Sequence, residues 1–155
     1  MELIFLTPRQ NRYSINALVG AVEGYLVERK IPVHFCHGHE EVIELVFSLP
    51  ESTLKVVCLS FFSTQVWEVE GLIERLKGIK RLVLVAGGPH PTGRPLETLE
   101  MGVDYVVRGE GERVFQHLIA CLWEGARVEG IKGLVFRKAD GSISESGKAE
   151  PVDLN

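Results

Sequence analysis

Three stretches of this 155-residue chain carry residues spaced for ligand chemistry. The first is Gly87-Gly88-Pro89-His90-Pro91-Thr92, directly after the apolar run Leu82–Ala86. Two glycines after a buried strand let a ligand or another backbone approach without Cβ interference. Two prolines then stiffen the loop. A tight strand-to-helix turn is the plain alternative, but a turn needs neither that stiffness nor that length. The second stretch, Arg108-Gly109-Glu110-Gly111-Glu112, enters a helix. Backbone amides at a helix start attract anions. Two carboxylates there repel a phosphate, and the third glycine of a dinucleotide fingerprint is missing. Glu112 reads equally well as a complement to the helix dipole. The third stretch is Ser60-Phe61-Phe62-Ser63-Thr64. Ser60 stands just past a buried run, open to a ligand or to a local turn bond. Ser63 or Thr64 is expected to cap the following helix. The loop Thr7–Tyr13 adds Arg9 and Arg12 without an acid. Either could take a phosphate or carboxylate, although solvated surface arginines are the simpler reading.

The elements that must position these loops alternate regularly. The apolar runs Leu3–Leu6, Val33–Phe35, Val56–Leu59, Leu82–Ala86 and Tyr105–Val107 are continuous, as strands covered on both faces should be. Between them lie helical patterns. Ala17, Leu18, Ala21, Val22, Tyr25 and Leu26 share a face, with Ser14 the expected N-cap and Pro32 beyond the end. Val42, Ile43, Val46 and Phe47 mark a second helix, and Val66, Val69, Ile73 and Leu76 a third, stopped at Gly78. Pro95 suits a first helical turn, with Leu96 and Leu99 inward and Gly102 closing. Phe115, Leu118, Ile119 and Leu122 make the last helix.

Five βα units imply an α/β fold with a doubly wound parallel five-stranded sheet and right-handed crossovers. The expected order is the flavodoxin-like 2-1-3-4-5, in which ligands sit beyond the carboxyl ends of the strands. The tail predicts a C-terminal β-hairpin, Lys132–Lys138 and Ile143–Glu145, around an Asp140-Gly141 turn. The expected organisation is an α/β domain over 1–128, its hairpin extension over 129–146, and a linker over 147–155.

Composition bounds the partners. The net charge is −4, with 45% hydrophobic and 25% charged residues. No basic stripe recommends nucleic acid or an anionic membrane. No apolar stretch approaches the roughly 20 residues of a membrane span. Cys36, Cys58 and Cys121 are odd in number, far apart and set in apolar runs, which predicts buried thiols and a cytoplasmic, reducing home. No two are close enough for a zinc or iron–sulfur site.

The stretch VAGGPHPTGRPLETLEMGVDYVVRGEGERVFQHLI resembles the N-terminal cobalamin (B12)-binding domains of radical S-adenosylmethionine (SAM) proteins. The shared elements are Gly87–Thr92, the pair Gly102/Asp104, and Gly109–Glu112. The opening NRYSINALVGAVE resembles one archaeal-type subgroup, and the likeness runs from about Leu3 to Phe136.

The resemblance implies a module that holds cobalamin, with SAM and an iron–sulfur cluster in a further domain. It implies cofactor-binding roles for Ser60, Phe61, Gly87, Gly88, Pro89, His90, Thr92, Gly109, Glu110 and Gly111. In the wider family a serine after the third strand contacts the nucleotide tail, and a Gly-Gly pair after the fourth makes room for it. Ser60 and Gly87/Gly88 match those positions. The tail is then expected between the sheet and the helices that follow the third and fourth strands. The family's Asp-x-His-x-x-Gly loop, which gives cobalt a histidine, is absent from Thr7–Tyr13. No histidine lower ligand is therefore expected, and His37 and His39 are expected at the surface.

The cysteines of a radical SAM core are absent too. The chain ends in EPVDLN, much as these modules end before their catalytic barrel. The expectation is a piece ending at a domain boundary or a free-standing homologue, uncatalytic alone, whose partner is a radical SAM domain in cis or in trans. The alternative is a docking or scaffold domain that has lost cobalamin. A signalling receiver would need acids where Thr7-Pro8-Arg9 and Ser60-Phe61-Phe62 stand. A hydrolase would need a histidine and an acid converging on Ser60 or Ser63, and no nucleophile-elbow motif surrounds either.

Overall fold

A computed structural model describes residues 1–147. The strands are β1 (Glu2–Leu6), β2 (Val33–Cys36), β3 (Lys55–Ser60), β4 (Leu82–Gly87), β5 (Tyr105–Val107), β6 (Leu134–Arg137) and β7 (Ile143–Glu145). The helices are α1 (Arg12–Glu28), α2 (His39–Ser48), α3 (Val66–Leu76), α4 (Pro89–Gly93), α5 (Pro95–Glu100) and α6 (Glu112–Glu124). The sheet order is β2-β1-β3-β4-β5-β6-β7. The first five strands run parallel in the flavodoxin-like order, and β6 and β7 continue the same sheet antiparallel.

Successive side chains of a strand point to opposite faces, and each buried run here feeds two cores. Ile4, Val57, Leu84 and Val106 face α2, α3 and α5 through Val46, Leu72, Ile73 and Leu99. Leu3, Phe5, Cys58, Val85 and Val107 face α1 and α6 through Ile15, Val22, Phe115 and Leu118. The hairpin closes as its sequence predicts. Asp140 Oδ1 accepts from Ser142 N at 2.9 Å, and Gly141 takes φ +87°.

Four local expectations change. Ser14 lies inside α1 rather than capping it, because a 3-10 turn over Arg9–Asn11 leads straight into the helix. A second 3-10 turn, Ser63–Gln65, precedes α3, and Gln65 Oε1, not a serine or threonine hydroxyl, accepts from Phe62 N at 3.0 Å. Leu96 and Phe47 point outward at 50% and 66% exposure, since the short helices that carry them bury only one narrow side. The Gly87–Thr92 loop winds into α4, with Pro89 at its first position. Residues 148–155, most of the expected linker, lie outside the described residues.

Asp104 of the Gly102/Asp104 pair ties the start of β5 to β4. Asp104 Oδ2 accepts from Leu84 N at 2.8 Å, and Asp104 N donates to Leu84 O at 3.0 Å. Asp104→Ala orphans a buried strand amide. It is expected to cost about 1–3 kcal/mol, read as a Tm several degrees lower, whereas Asp104→Asn keeps an acceptor and most of the stability.

Candidate cofactor site

The carboxyl ends of β3, β4 and β5 meet at one rim. Ser60 closes β3 and pairs in register with Gly87, the last residue of β4. The next residue, Gly88, has φ +93° and ψ −172°. Only glycine adopts that combination without strain. A Cβ there would stand 2.6 Å from Ser60 Oγ and 3.1 Å from Phe61 N. Gly88 is thus required by how closely the β4 end passes over Ser60, whereas a Cβ on Gly87 would meet nothing nearer than Val107 O at 3.6 Å.

A cleft of about 220 Å³ opens on the α1–α6 face of this rim. Its floor is the register row Phe5, Cys58 and Val85, with Phe115 of α6 above. Ser60, Gly87 and Val107 form its edge. Ser14, Ala17 and Leu18 of α1 make one wall, and Gly109, Glu110, Gly111 and Glu112 the other. A Cβ on Gly111 would lie 2.9 Å from Val107 Cγ1, so this wall is also bare by necessity. Burial in the floor pushes the Cys58 thiol well above its ordinary pKa, keeping it protonated and unreactive. An engineered cavity of roughly 150 Å³ takes a benzene. This cleft is half as large again.

Of the ten residues singled out from sequence, Ser60, Gly87, Gly88, Gly109, Glu110 and Gly111 line the cleft. Phe61, Pro89, His90 and Thr92 do not. Phe61 is 1% exposed and belongs to the core on the opposite face. It also lines a second depression there, beside His37, His39 and Gln65. His90 is 4% exposed and stacks on Phe61 with centroids 5.5 Å apart. His90 N donates to Phe61 O at 3.2 Å, and a hydrogen bond of 2.9 Å joins Ser63 Oγ to His90 Nδ1. Glu97 Oε1 stands 3.6 Å from His90 Nε2. Serine, histidine and acid thus converge here after all, yet Ser63 and His90 line neither cleft flanking the rim. Buried and stacked, the imidazole pins α4 beneath Gly88. Pro89 starts α4, and Thr92 Oγ1 accepts from Gly109 N at 3.3 Å, tying the two glycine loops together.

The α1 wall is the part that sequence reasoning missed. Ala17 sits on the helix's apolar stripe by spacing but is exposed, because it faces the cleft instead of the core. The cleft therefore lies under α1 and α6, not under the helices that follow β3 and β4. No histidine, lysine or arginine lines it. His37 is exposed, at 3.4 Å from Thr7 Oγ1, and His34 pairs with Glu2 at 2.6 Å. No cluster of three or more His, Cys, Asp or Glu among the described residues could hold a metal ion. No helix among them is long and apolar enough to cross a membrane.

A parallel sheet whose strand tips leave a bare, partly apolar cleft between its first and last helices defines a cofactor-binding α/β module. Residues 15–119 match the B12 binding domain family, and this chain belongs to that family. Cobalamin is accordingly its cofactor. The fold is shared with TsrM, a radical SAM methyltransferase from Kitasatospora setae solved with cobalamin and a [4Fe-4S] cluster bound. The TM-score is 0.73 at 20% identity, over 97% of this chain and 30% of that one. OxsB, a cobalamin-dependent SAM radical enzyme solved with aqua-cobalamin, gives 0.68 at 17% identity, over 97% and 22%. An uncharacterized methyltransferase of Pyrococcus horikoshii, PH0819, is 39% identical over 61 residues, covering 38% of this chain and 13% of that protein. The chain thus spans less than a third of each of these proteins.

Proposed function

We propose that this chain is the cobalamin-holding module of a radical SAM enzyme, with the nucleotide tail in the α1–α6 cleft and the corrin ring across the strand tips. The observation that carries this reading is the juxtaposition of Ser60 with Gly87 and Gly88 at the mouth of an otherwise apolar cleft. A scaffold that had lost the cofactor would have no need of the small, exposed Ala17 on the cleft wall, which nothing in the fold itself requires. Bound cobalamin supplies cobalt-centred group transfer, methyl transfer among its uses, and the protein supplies placement. Ser60 offers a hydroxyl at the rim, Gly87 and Gly88 give clearance, and Gly109 to Gly111 form the facing wall. Phe5, Cys58 and Val85 exclude water from the enclosed group.

The lower face of cobalt receives no imidazole in this reading. The loop after β1 carries none, His90 is buried beneath the rim, and His37 and His39 stand at the end of β2 on the far side of the sheet. SAM and its cluster belong to a partner domain, in cis or in trans.

Hydroxocobalamin added to the purified domain should co-elute with it on gel filtration, carrying its visible absorbance. After reduction to the Co(II) state, the electron paramagnetic resonance signal should lack splitting from an axial nitrogen. A colourless protein peak would end the assignment, and a nitrogen splitting would end the unligated lower face.

A further inference from the structure

The cleft contains one polar atom with nothing to do. Glu112 Oε2 is shut off from solvent and has no hydrogen-bond partner among the described residues. Glu112 is the first residue of α6, and it lines the same cleft as Ser60. A carboxylate gains from the dipole of a helix start, but that gain does not require a solvent-free oxygen. Leaving such an acceptor unsatisfied costs on the order of 1–3 kcal/mol, more when it is charged. A donor arriving with the ligand would remove that cost.

The lining identifies the donor's chemistry. The floor row Phe5, Cys58 and Val85 is apolar and suits a flat base. Val107, Ser60 and Gly87 stand two residues further along their strands from Tyr105, Cys58 and Val85, which places them roughly 6–7 Å nearer the mouth. The group at that level is the one attached to the base. It meets Ser60, Glu110 and Glu112 and no cationic side chain. A phosphate would be repelled by the two carboxylates, so it must lie beyond them. A sugar carries the hydroxyl donors that a carboxylate accepts.

We infer that Glu112 Oε2 accepts a hydrogen bond from a ribose hydroxyl of the cofactor's nucleotide tail, making the cleft a nucleoside site that keeps the phosphate outside. This inference rests on the function proposed above, and the test separates the two. Wild type, Glu112→Gln and Glu112→Met are titrated with cobalamin and with cobinamide, the same corrin lacking base, sugar and phosphate. A hydrogen bond to a charged acceptor contributes roughly tenfold to a hundredfold in affinity. Glu112→Met should lose that factor for cobalamin, Glu112→Gln should retain part of it, and all three should bind cobinamide equally. Glu112→Met without ligand should melt near the wild-type temperature, because removing the unsatisfied buried oxygen offsets the lost helix-dipole contribution. Cobalamin affinity unchanged by Glu112→Met, or an equal loss for cobinamide, would overturn the role of Glu112 alone. Failure of wild type to bind cobalamin would overturn both readings.

Discussion

Gly88→Ala should unfold this domain at a markedly lower temperature and weaken its hold on cobalamin. The added Cβ meets Ser60 Oγ at 2.6 Å and the Phe61 amide nitrogen at 3.1 Å. The serine hydroxyl can swing away, but the amide is main chain and is held by Gly87 O at 3.4 Å. The backbone at φ +93° adds strain of its own, about 1–3 kcal/mol for any residue but glycine. With an overpacking cost of similar size, the sum is about 2–6 kcal/mol. For a chain of this length each kcal/mol lowers Tm by about 2–4 °C, so a fall of roughly 5–20 °C is expected. Cobalamin affinity should drop at least tenfold, because Ser60 and the β4 end are displaced together. Gly93→Ala is the control, since a Cβ at Gly93 meets nothing within 4 Å. Thermal melts and cobalamin titrations decide the matter. A Gly88→Ala protein that matches wild type in both would mean that the rim has slack it does not show in its contacts.

Ala17→Trp should do the reverse: weaken cofactor binding by nearly a hundredfold while sparing the fold. Ala17 is exposed on α1 and lines the cleft without joining the core. A tryptophan there can lie over Leu18 and the Phe115 ring and occupy the space meant for the tail. Excluding a nucleoside forfeits the burial of roughly 100 Å² of apolar surface, about 2.5 kcal/mol at about 25 cal/mol per Å². That corresponds to nearly a hundredfold in affinity. The melting temperature without ligand should stay within a few degrees of wild type, since no core residue moves. Retained cobalamin affinity in this variant would place the tail somewhere other than the α1–α6 cleft. The depression lined by Phe61, His37 and His39 on the other face would be the next place to look.

The two variants also separate what the rim does from what the cleft does. Gly88 is needed by the apo fold, because the crowding around it is intramolecular. Ala17 is needed by nothing in the apo fold. A residue whose smallness matters only when a ligand is present is a better marker of a site than one whose smallness the backbone already demands.

Much of this molecule could be read from its residues alone. Five short apolar runs read as strands, and helices between them imply a parallel sheet, although the edge strand β2 leaves Phe35 47% exposed instead of covering both faces. Pro32, Gly78, Pro95 and Asp140-Gly141 stop or start elements through fixed φ, missing amides or a tolerated positive φ, all of which are local. The strand-tip positions of Ser60, Gly87, Gly88 and Gly109 to Gly111 follow from the same local punctuation. The cleft itself required the tertiary structure. It is made by α1 and α6, whose cleft-lining residues Ala17 and Glu112 are far apart in sequence, and helical spacing alone does not say which neighbour a face will meet. That is why Ala17 reads as core by spacing, why the cleft lies beneath a different pair of helices from the one its strand ends suggest, and why Phe61 and His90 follow the strand tips yet are buried away from the cleft. Periodicity is a property of one segment; a cavity is what remains between two, and only their packing decides its place and its lining.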